Sequence, residues 1–127
     1  MANRTVEVTV EADPVLVPVV RNVAADLAIR LDLQLDTIAD LRLAVDETCG
    51  LLLARAATPT TLRTRFTIGE GTITARTEAG CHEGTALPGN GLHWHMLTAL
   101  VRSVRSYHTS GAGGEKLAVV EFTVSDP

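Results

Sequence analysis

The stretch over residues 36–55 constrains the fold more than any other part of the chain. Apolar residues recur there at three- and four-residue spacing, which is typical of one buried face of an α-helix. They are Ile38, Leu41, Val45, Cys49 and Leu52. We expect Asp36 to cap the helix, because its side chain can accept a hydrogen bond from a free backbone N–H group of the first turn. Glu47 lies beside the apolar face, and burying a carboxylate without a partner is costly, so it either reaches water or has a chemical role.

Length and composition indicate one globular domain over residues 1–127. A chain of this length is long enough to bury a core. Apolar residues make up 46% and charged residues 20%, which is typical of a folded chain. The net charge of −4 argues against a protein that binds nucleic acid by neutralising phosphates. No apolar run is long enough to span a membrane and no signal peptide is recognisable, so we expect a cytoplasmic protein that contacts no membrane.

Hydrophobic periodicity and turn residues predict the other elements of the chain. In chain order they are a strand over 5–10, a helix from Leu16 or Val17 to Leu31, the helix just described, a hairpin over 60–78 that turns at 69–71, a loop over 79–90, a third helix over 92–107, a glycine-rich turn near 111–114 and a strand over 116–124. This order predicts an α+β two-layer sandwich, in which about three helices cover one face of a mixed or antiparallel sheet.

Two predicted helices carry specific expectations about side-chain placement. The exposed face of the first helix should carry polar residues, among them Arg21 and Asn22. The third helix should turn a set of apolar residues toward the core. They are Leu92, Met96, Ala99, Leu100 and Val104.

The letters LRLAVDE in the central helix resemble the N box of the GHKL (Bergerat) ATPases, and most closely that of the RsbW-type anti-sigma factors. The family pattern is L-x-x-A-V-x-E-A-x-x-N, whose Glu activates the attacking hydroxyl or water and whose Asn coordinates Mg²⁺ on ATP. Glu47 matches the Glu, whereas Leu51 stands at the position of the Asn. Leucine offers no oxygen to a cation that requires oxygen ligands. The resemblance therefore implies a relic general base without its metal site.

A second block, GNGLHWHMLTALVRSVRSY over residues 89–107, is similar to the actinobacterial UsfX-like group of these anti-sigma factors. The predicted element order is also that of the GHKL fold. The resemblance therefore covers nearly the whole chain and implies a GHKL-like domain.

The nucleotide motifs of the family are only partly present. Its D-x-G-x-G motif, whose Asp binds adenine, corresponds to residues 77–81, where Thr77 replaces the Asp and Gly80 is the glycine that remains. Its second glycine motif survives as Gly89 and Gly91, which can cradle phosphate through backbone N–H groups before a helix. His93 replaces a third glycine. The resemblance thus implies a degenerate nucleotide site and no cofactor.

The histidines and cysteines do not predict a metal or redox site. His93 and His95 are two positions apart, so on a helix their side chains point in nearly opposite directions and cannot bind one ion. Cys49 lies on the apolar face of the central helix, where we expect a buried, unreactive thiol.

Two functional hypotheses follow from the resemblance. The first is an anti-sigma factor that sequesters an alternative sigma factor of the sigma-F or sigma-B type and is displaced by an anti-anti-sigma (STAS) protein. Family members are homodimers that pair largely through the N-terminal strand, here residues 5–10. Arg21 lies 26 positions before Glu47, the spacing of a family arginine that contacts both partners, so we expect Arg21 and Asn22 to bind partners. Arg21 on a merely solvated helix face is the competing interpretation.

The second hypothesis is an active serine kinase that phosphorylates the STAS protein with Mg-ATP. Its catalysis would depend on the metal and on positioning of the nucleotide. Because Leu51 and Thr77 replace the residues that the family uses for both, we expect a binding protein rather than an enzyme.

Overall fold

The computed structural model describes residues 4–127, which form five strands and three α-helices. The elements are β1 (Arg4–Glu11), α1 (Val17–Arg30, preceded by a 3₁₀ turn over Pro14–Leu16), α2 (Leu35–Leu53), β2 (Thr61–Ile68), β3 (Thr72–Gly80), α3 (Leu92–Leu100), β4 (Ser103–Ser110) and β5 (Lys116–Ser125). The strands form one sheet in the order β1-β2-β3-β5-β4, and every neighbouring pair is antiparallel. The predicted α+β sandwich is confirmed, with an antiparallel sheet.

The core lies between the three helices and one face of the sheet. The residues predicted for the buried face of α2 enter it, as do Leu62 and Phe66 of β2 and Phe122 of β5. Leu41 and Leu52 of α2 are fully buried. Because the chain has only four aromatic residues, this core is built mainly from Leu, Val, Ile and Ala.

The other face of the sheet carries charged and hydroxyl side chains. The strand register aligns five charged residues in one row across all five strands. They are Glu7, Arg65, Arg76, Glu121 and Arg105. Glu7 accepts hydrogen bonds from Arg63 and Arg65, which hold the pKa of its carboxyl group below the usual value. This face is therefore largely compatible with water, and the main hydrophobic layer lies on the helix side, although Val119 of β5 is fully buried on the outer face.

The prediction of a third helix over 92–107 is wrong beyond Leu100. Residues 103–110 instead form β4, which pairs along its whole length with β5. The apolar spacing in this segment fits either element, and the long-range pairing with β5 decides between them. The predicted inward set was partly wrong. Leu100 and Val104 pack against the core, but Leu92 is 71% exposed and Met96 44% exposed, and Leu97, which was not in the set, is fully buried.

Two smaller predictions also differ from the structure. Helix α2 begins at Leu35, and its cap residue, Gln34, lies two residues before the predicted cap and makes no side-chain capping bond. Asp36 therefore lies in the first turn, where its charge interacts favourably with the helix dipole. Strand β3 continues to Gly80, two residues into the predicted loop.

The remaining elements agree with the sequence-based expectations. Helix α1 starts at Val17, the hairpin of β2 and β3 turns at Gly71 with a positive φ of 69°, and a turn after Ser110 joins β4 to β5. Within residues 4–127 no helix combines the length and the apolar character that crossing a bilayer requires.

We expect Leu41→Ala to lower the free energy of unfolding by about 2–5 kcal/mol, because it removes a fully buried side chain and leaves a cavity. Leu35→Ala in the same helix is the matched control. Leu35 is 84% exposed, so this variant should change stability by no more than about 0.5 kcal/mol. Urea unfolding followed by circular dichroism measures both, and equal effects would contradict the assigned rotation of α2.

Candidate functional site

An open cleft of ≈ 540 Å³ lies between the second half of α2 and the segment that leads into α3. Glu47 and Leu51, one helical turn apart, line it from α2. Gly91 and His93 line it from the other side. Gly91 has a φ of 88°, a left-handed conformation in which a side chain would be strained. The chain thereby brings together the relic base and one of the two glycines predicted to cradle phosphate.

Glu47 is hydrogen-bonded to His93 across this cleft. The distance from the Glu47 Oε2 to the His93 Nδ1 is 2.9 Å. The Glu47 side chain is 19% exposed and that of His93 is 69% exposed. The pair explains how a carboxylate is accommodated on a largely apolar helix, since its charge has a hydrogen-bond partner.

Leu51 is the residue that the sequence resemblance aligns with a metal-binding Asn. Its side chain lines the cleft and packs against the hydrophobic core, and it offers no ligand atom. Among residues 4–127, no group of three or more His, Cys, Asp or Glu side chains is placed to hold a metal ion.

Thr77 and Gly80 do not line this cleft. Thr77 is 2% exposed, and its hydroxyl is 2.9 Å from that of Thr64 on the neighbouring strand. The Gly80 N–H donates to the Thr60 Oγ1 at 3.0 Å, and a Cβ at Gly80 would lie only 2.8 Å from that oxygen. Both residues are thus occupied within the sheet and its flanking segment, and neither is brought together with Glu47.

The segment between β3 and α3, residues 81–91, is attached to the rest of the molecule by several hydrogen bonds. The Cys81 N–H donates to the Lys116 carbonyl at 2.9 Å, and the Lys116 Nζ is 3.5 Å from the Glu83 carboxylate. Arg55 donates from its Nε to the Ala86 carbonyl at 3.0 Å and from its Nη1 to the Leu51 carbonyl at 2.8 Å. The Ser106 hydroxyl donates to the Pro88 carbonyl at 2.6 Å. Gly89 is exposed in this segment and lies outside the lining of the cleft. Sequence reasoning missed Arg55, which has no local motif and is recognised only by its contacts.

Arg21 does not lie on a merely solvated helix face. Its Nη1 is 3.1 Å from both carboxylate oxygens of Asp46, and its side chain is 28% exposed. This ion pair joins α1 to α2 one residue away from Glu47. The Arg21 Nε is buried and has no hydrogen-bond partner in the described part of the chain. Asn22 is exposed beside it, as predicted.

Both cysteines are buried and form no disulfide. Burial and the neighbouring carboxylate of Asp46 raise the pKa of the Cys49 thiol to about 12. The prediction that Cys49 is buried is confirmed.

Over 105 residues, the chain is 32% identical to the anti-sigma-F factor RsbW of Mycobacterium tuberculosis, as found in strains CDC 1551 and H37Rv. The chain is homologous to this protein. The aligned region covers 83% of this chain and 62% of the relative, so the chain spans about three-fifths of the relative's length. No family model matches the chain.

A crystal structure of the RsbU and RsbW domains of a Mycobacterium tuberculosis protein has the same fold. The match covers 97% of this chain and 33% of the other, with a TM-score of 0.64 and 18% sequence identity. The α+β sandwich with its five-stranded antiparallel sheet is thus consistent with an RsbW-like fold.

The buried Thr64–Thr77 pair predicts a non-additive response to mutation. Thr64→Val should cost about 1–3 kcal/mol of stability, because it leaves the Thr77 hydroxyl buried without a partner. Adding Thr77→Val should recover most of that loss, since two apolar groups of similar shape then meet. Urea unfolding of both single variants and the double variant measures the coupling, and simple additivity would mean that the hydroxyls do not interact.

The raised pKa of Cys49 predicts slow thiol chemistry in the folded protein. In a Cys81→Ser variant, Cys49 should react with a coloured disulfide reagent at pH 8 only after unfolding, because both burial and the low thiolate fraction oppose attack. The absorbance of the released thiolate, with and without guanidinium, measures this. Rapid reaction of the native protein at pH 8 would contradict the assigned environment.

Proposed function

We propose that this chain is an anti-sigma factor that binds an alternative sigma factor of the sigma-F or sigma-B type and keeps it from RNA polymerase. An anti-anti-sigma (STAS) protein then releases the sigma factor by competing for this chain. The observation that carries the proposal is the 32% identity to an anti-sigma-F factor over 83% of the chain. The shared RsbW-like fold supports it.

We further propose that the chain is a GHKL-type domain of the UsfX-like group, with a degenerate ATP site and no cofactor. Three observations support this assignment. Leu51 presents no metal ligand, the Thr77 hydroxyl is engaged by Thr64, and Glu47 is hydrogen-bonded to His93. Phosphoryl transfer depends on metal electrostatics and on positioning of the phosphates, so these replacements favour sequestration over catalysis.

The proposed assembly in the cytoplasm is a homodimer that pairs through β1. This strand is at one edge of the sheet, so one side of its backbone is available for pairing with another strand. Arg21 and Asn22 are the proposed partner contacts. The ion pair with Asp46 orients Arg21 beside the exposed Asn22, and the net charge of −4 suits a partner with basic surfaces.

An active serine kinase is the second candidate function. One observation favours it: Glu47 and Gly91 line the same open cleft, next to the N-terminus of α3. A nucleotide bound there would need a metal held by residues other than Leu51 and an adenine contact other than Thr77.

Calorimetric titration separates the two functions. We expect no heat from Mg-ATP, whether the protein is free or bound to its sigma factor, together with tight binding of the sigma factor itself. An RsbW-type kinase with an intact motif, titrated in parallel, is the positive control. Absence of sigma binding would remove the anti-sigma proposal.

Transfer of labelled phosphate to the STAS protein provides the second arm of this experiment. We expect none. If micromolar Mg-ATP binding and phosphate transfer are both found, and transfer is lost in Glu47→Gln but retained in Glu70→Gln, the kinase assignment replaces the sequestering one. Glu70 is an exposed control that lies in the β2–β3 turn, away from the cleft.

A further inference from the structure

Exposed apolar side chains lie along the outer surface where α2 and α3 meet. Leu43 is 52% exposed, Leu92 71% and Met96 44%. The two helices carry four of the seven exposed large apolar side chains in residues 4–127. Leu35 is at the first position of α2, and the other three lie further along the two helices, where their grouping needs a reason. We call the surface formed by these three residues with Asp36 and Asp40 the α2–α3 groove.

Two contacts establish that α2 and α3 run in opposite directions. Near the end of α2, Glu47 meets His93 at the start of α3. Near the start of α2, Asp40 lines a second cavity together with Leu100, the last residue of α3. Residues later in α3 therefore lie beside residues earlier in α2.

The apolar residues consequently form one continuous track. Leu43 lies one turn before Glu47 on the same face of α2, and Met96 lies about one turn after His93 on α3, so Leu43 and Met96 share one level of the groove. Leu92 extends the track toward Leu51, with which it lines the first cleft.

Carboxylates flank the apolar track. Asp36 and Asp40 line the cavity at one end and form no ion pair with any residue in 4–127. Asp126 lines the same cavity, and Glu47 is at the opposite end of the groove. Arg102 also lines this cavity and donates to the Ser125 hydroxyl at 2.7 Å. The groove as a whole is apolar at its centre and acidic at its rim.

We propose that the α2–α3 groove docks one basic amphipathic α-helix of a protein partner. The apolar face of that helix covers Leu43 and Met96, and its lysines or arginines meet Asp36 and Asp40. Docking of a helix into a groove uses anchors at helical spacing, and complementary charge gives it orientation and speed. Helix α3 has nine residues, or about 13 Å of helix, so the groove accommodates two to three turns of a partner helix.

A second copy of this chain is a poor occupant. The two arginines of α1 are already paired, Arg21 with Asp46 and Arg30 with Asp26. Helix α3 has no lysine or arginine, and α2 has only Arg42. No helix within residues 4–127 therefore provides several free cations, and the net charge of −4 would oppose such pairing. The groove is also separate from the surface of Arg21 and Asn22 on α1, so it goes beyond the partner contacts proposed above.

The test uses a fluorescent 18-residue helix of leucine and lysine, with all leucines on one face, as the probe. Its fluorescence anisotropy is titrated with the folded protein. A helix of the same pattern with glutamate in place of lysine is the charge control. We expect the lysine helix to bind and the glutamate helix to bind at least about tenfold more weakly.

Matched variants locate the binding surface. Leu43→Ser with Met96→Ser should weaken binding by about tenfold, because they remove the central apolar contacts. Val15→Ser with Ile29→Ser removes two apolar residues that are 77% and 60% exposed elsewhere, and should change binding less than about twofold. Asp36→Asn with Asp40→Asn should weaken binding about threefold at low salt, whereas Glu70→Gln with Glu83→Gln should not.

Three results would overturn the proposal: no binding of the lysine helix, equal binding of both helices, or equal losses in the groove and control variants. Circular dichroism of each variant establishes that it is folded before binding is measured. The experiment contains neither sigma factor nor nucleotide, so its failure leaves the anti-sigma titration unaffected and the two proposals are separately testable.

Discussion

The packing of α2 against the sheet determines where every candidate functional side chain lies. Leu41, Val45, Cys49 and Leu52 occupy one face of this helix and are buried in the core, so its rotation about its own axis is set. With that rotation, Asp46 points toward α1, Glu47 toward the start of α3, and Leu43 outward. A change that rotated α2 by one residue would separate the ion pair with Arg21 and the hydrogen bond with His93 together.

The sequence predicted the elements whose signals are local. The apolar spacing of α2 and the alternation of β1, β2 and β5 arise from residues a few positions apart, and those elements are present. The local sequence pattern did not predict β4. Residues 103–110 become a strand by pairing with β5, whose residues lie further along the chain. The rotation of α3 was wrong for the same reason, since the apolar set used to predict it ran past the true end of the helix at Leu100.

The residues of the candidate site could be predicted from the sequence, but their hydrogen-bond partners could not. Leu51 and Thr77 were singled out from the letters alone, because they differ from the residues of the motifs that the sequence resembles. The partners of Glu47 and Thr77 are not, because His93 is 46 positions and Thr64 13 positions away. Such pairs depend on how strands and helices are placed in three dimensions, and no periodicity encodes them.

The segment between β3 and α3 is held by Arg55 at Ala86, by Ser106 at Pro88 and by the backbone bond from Cys81 to Lys116. A segment already fixed at these points loses little conformational entropy when something binds beside it. Binding in the neighbouring cleft would therefore cause little further ordering, and its effect would come from the surface that it covers rather than from a rearrangement of the chain.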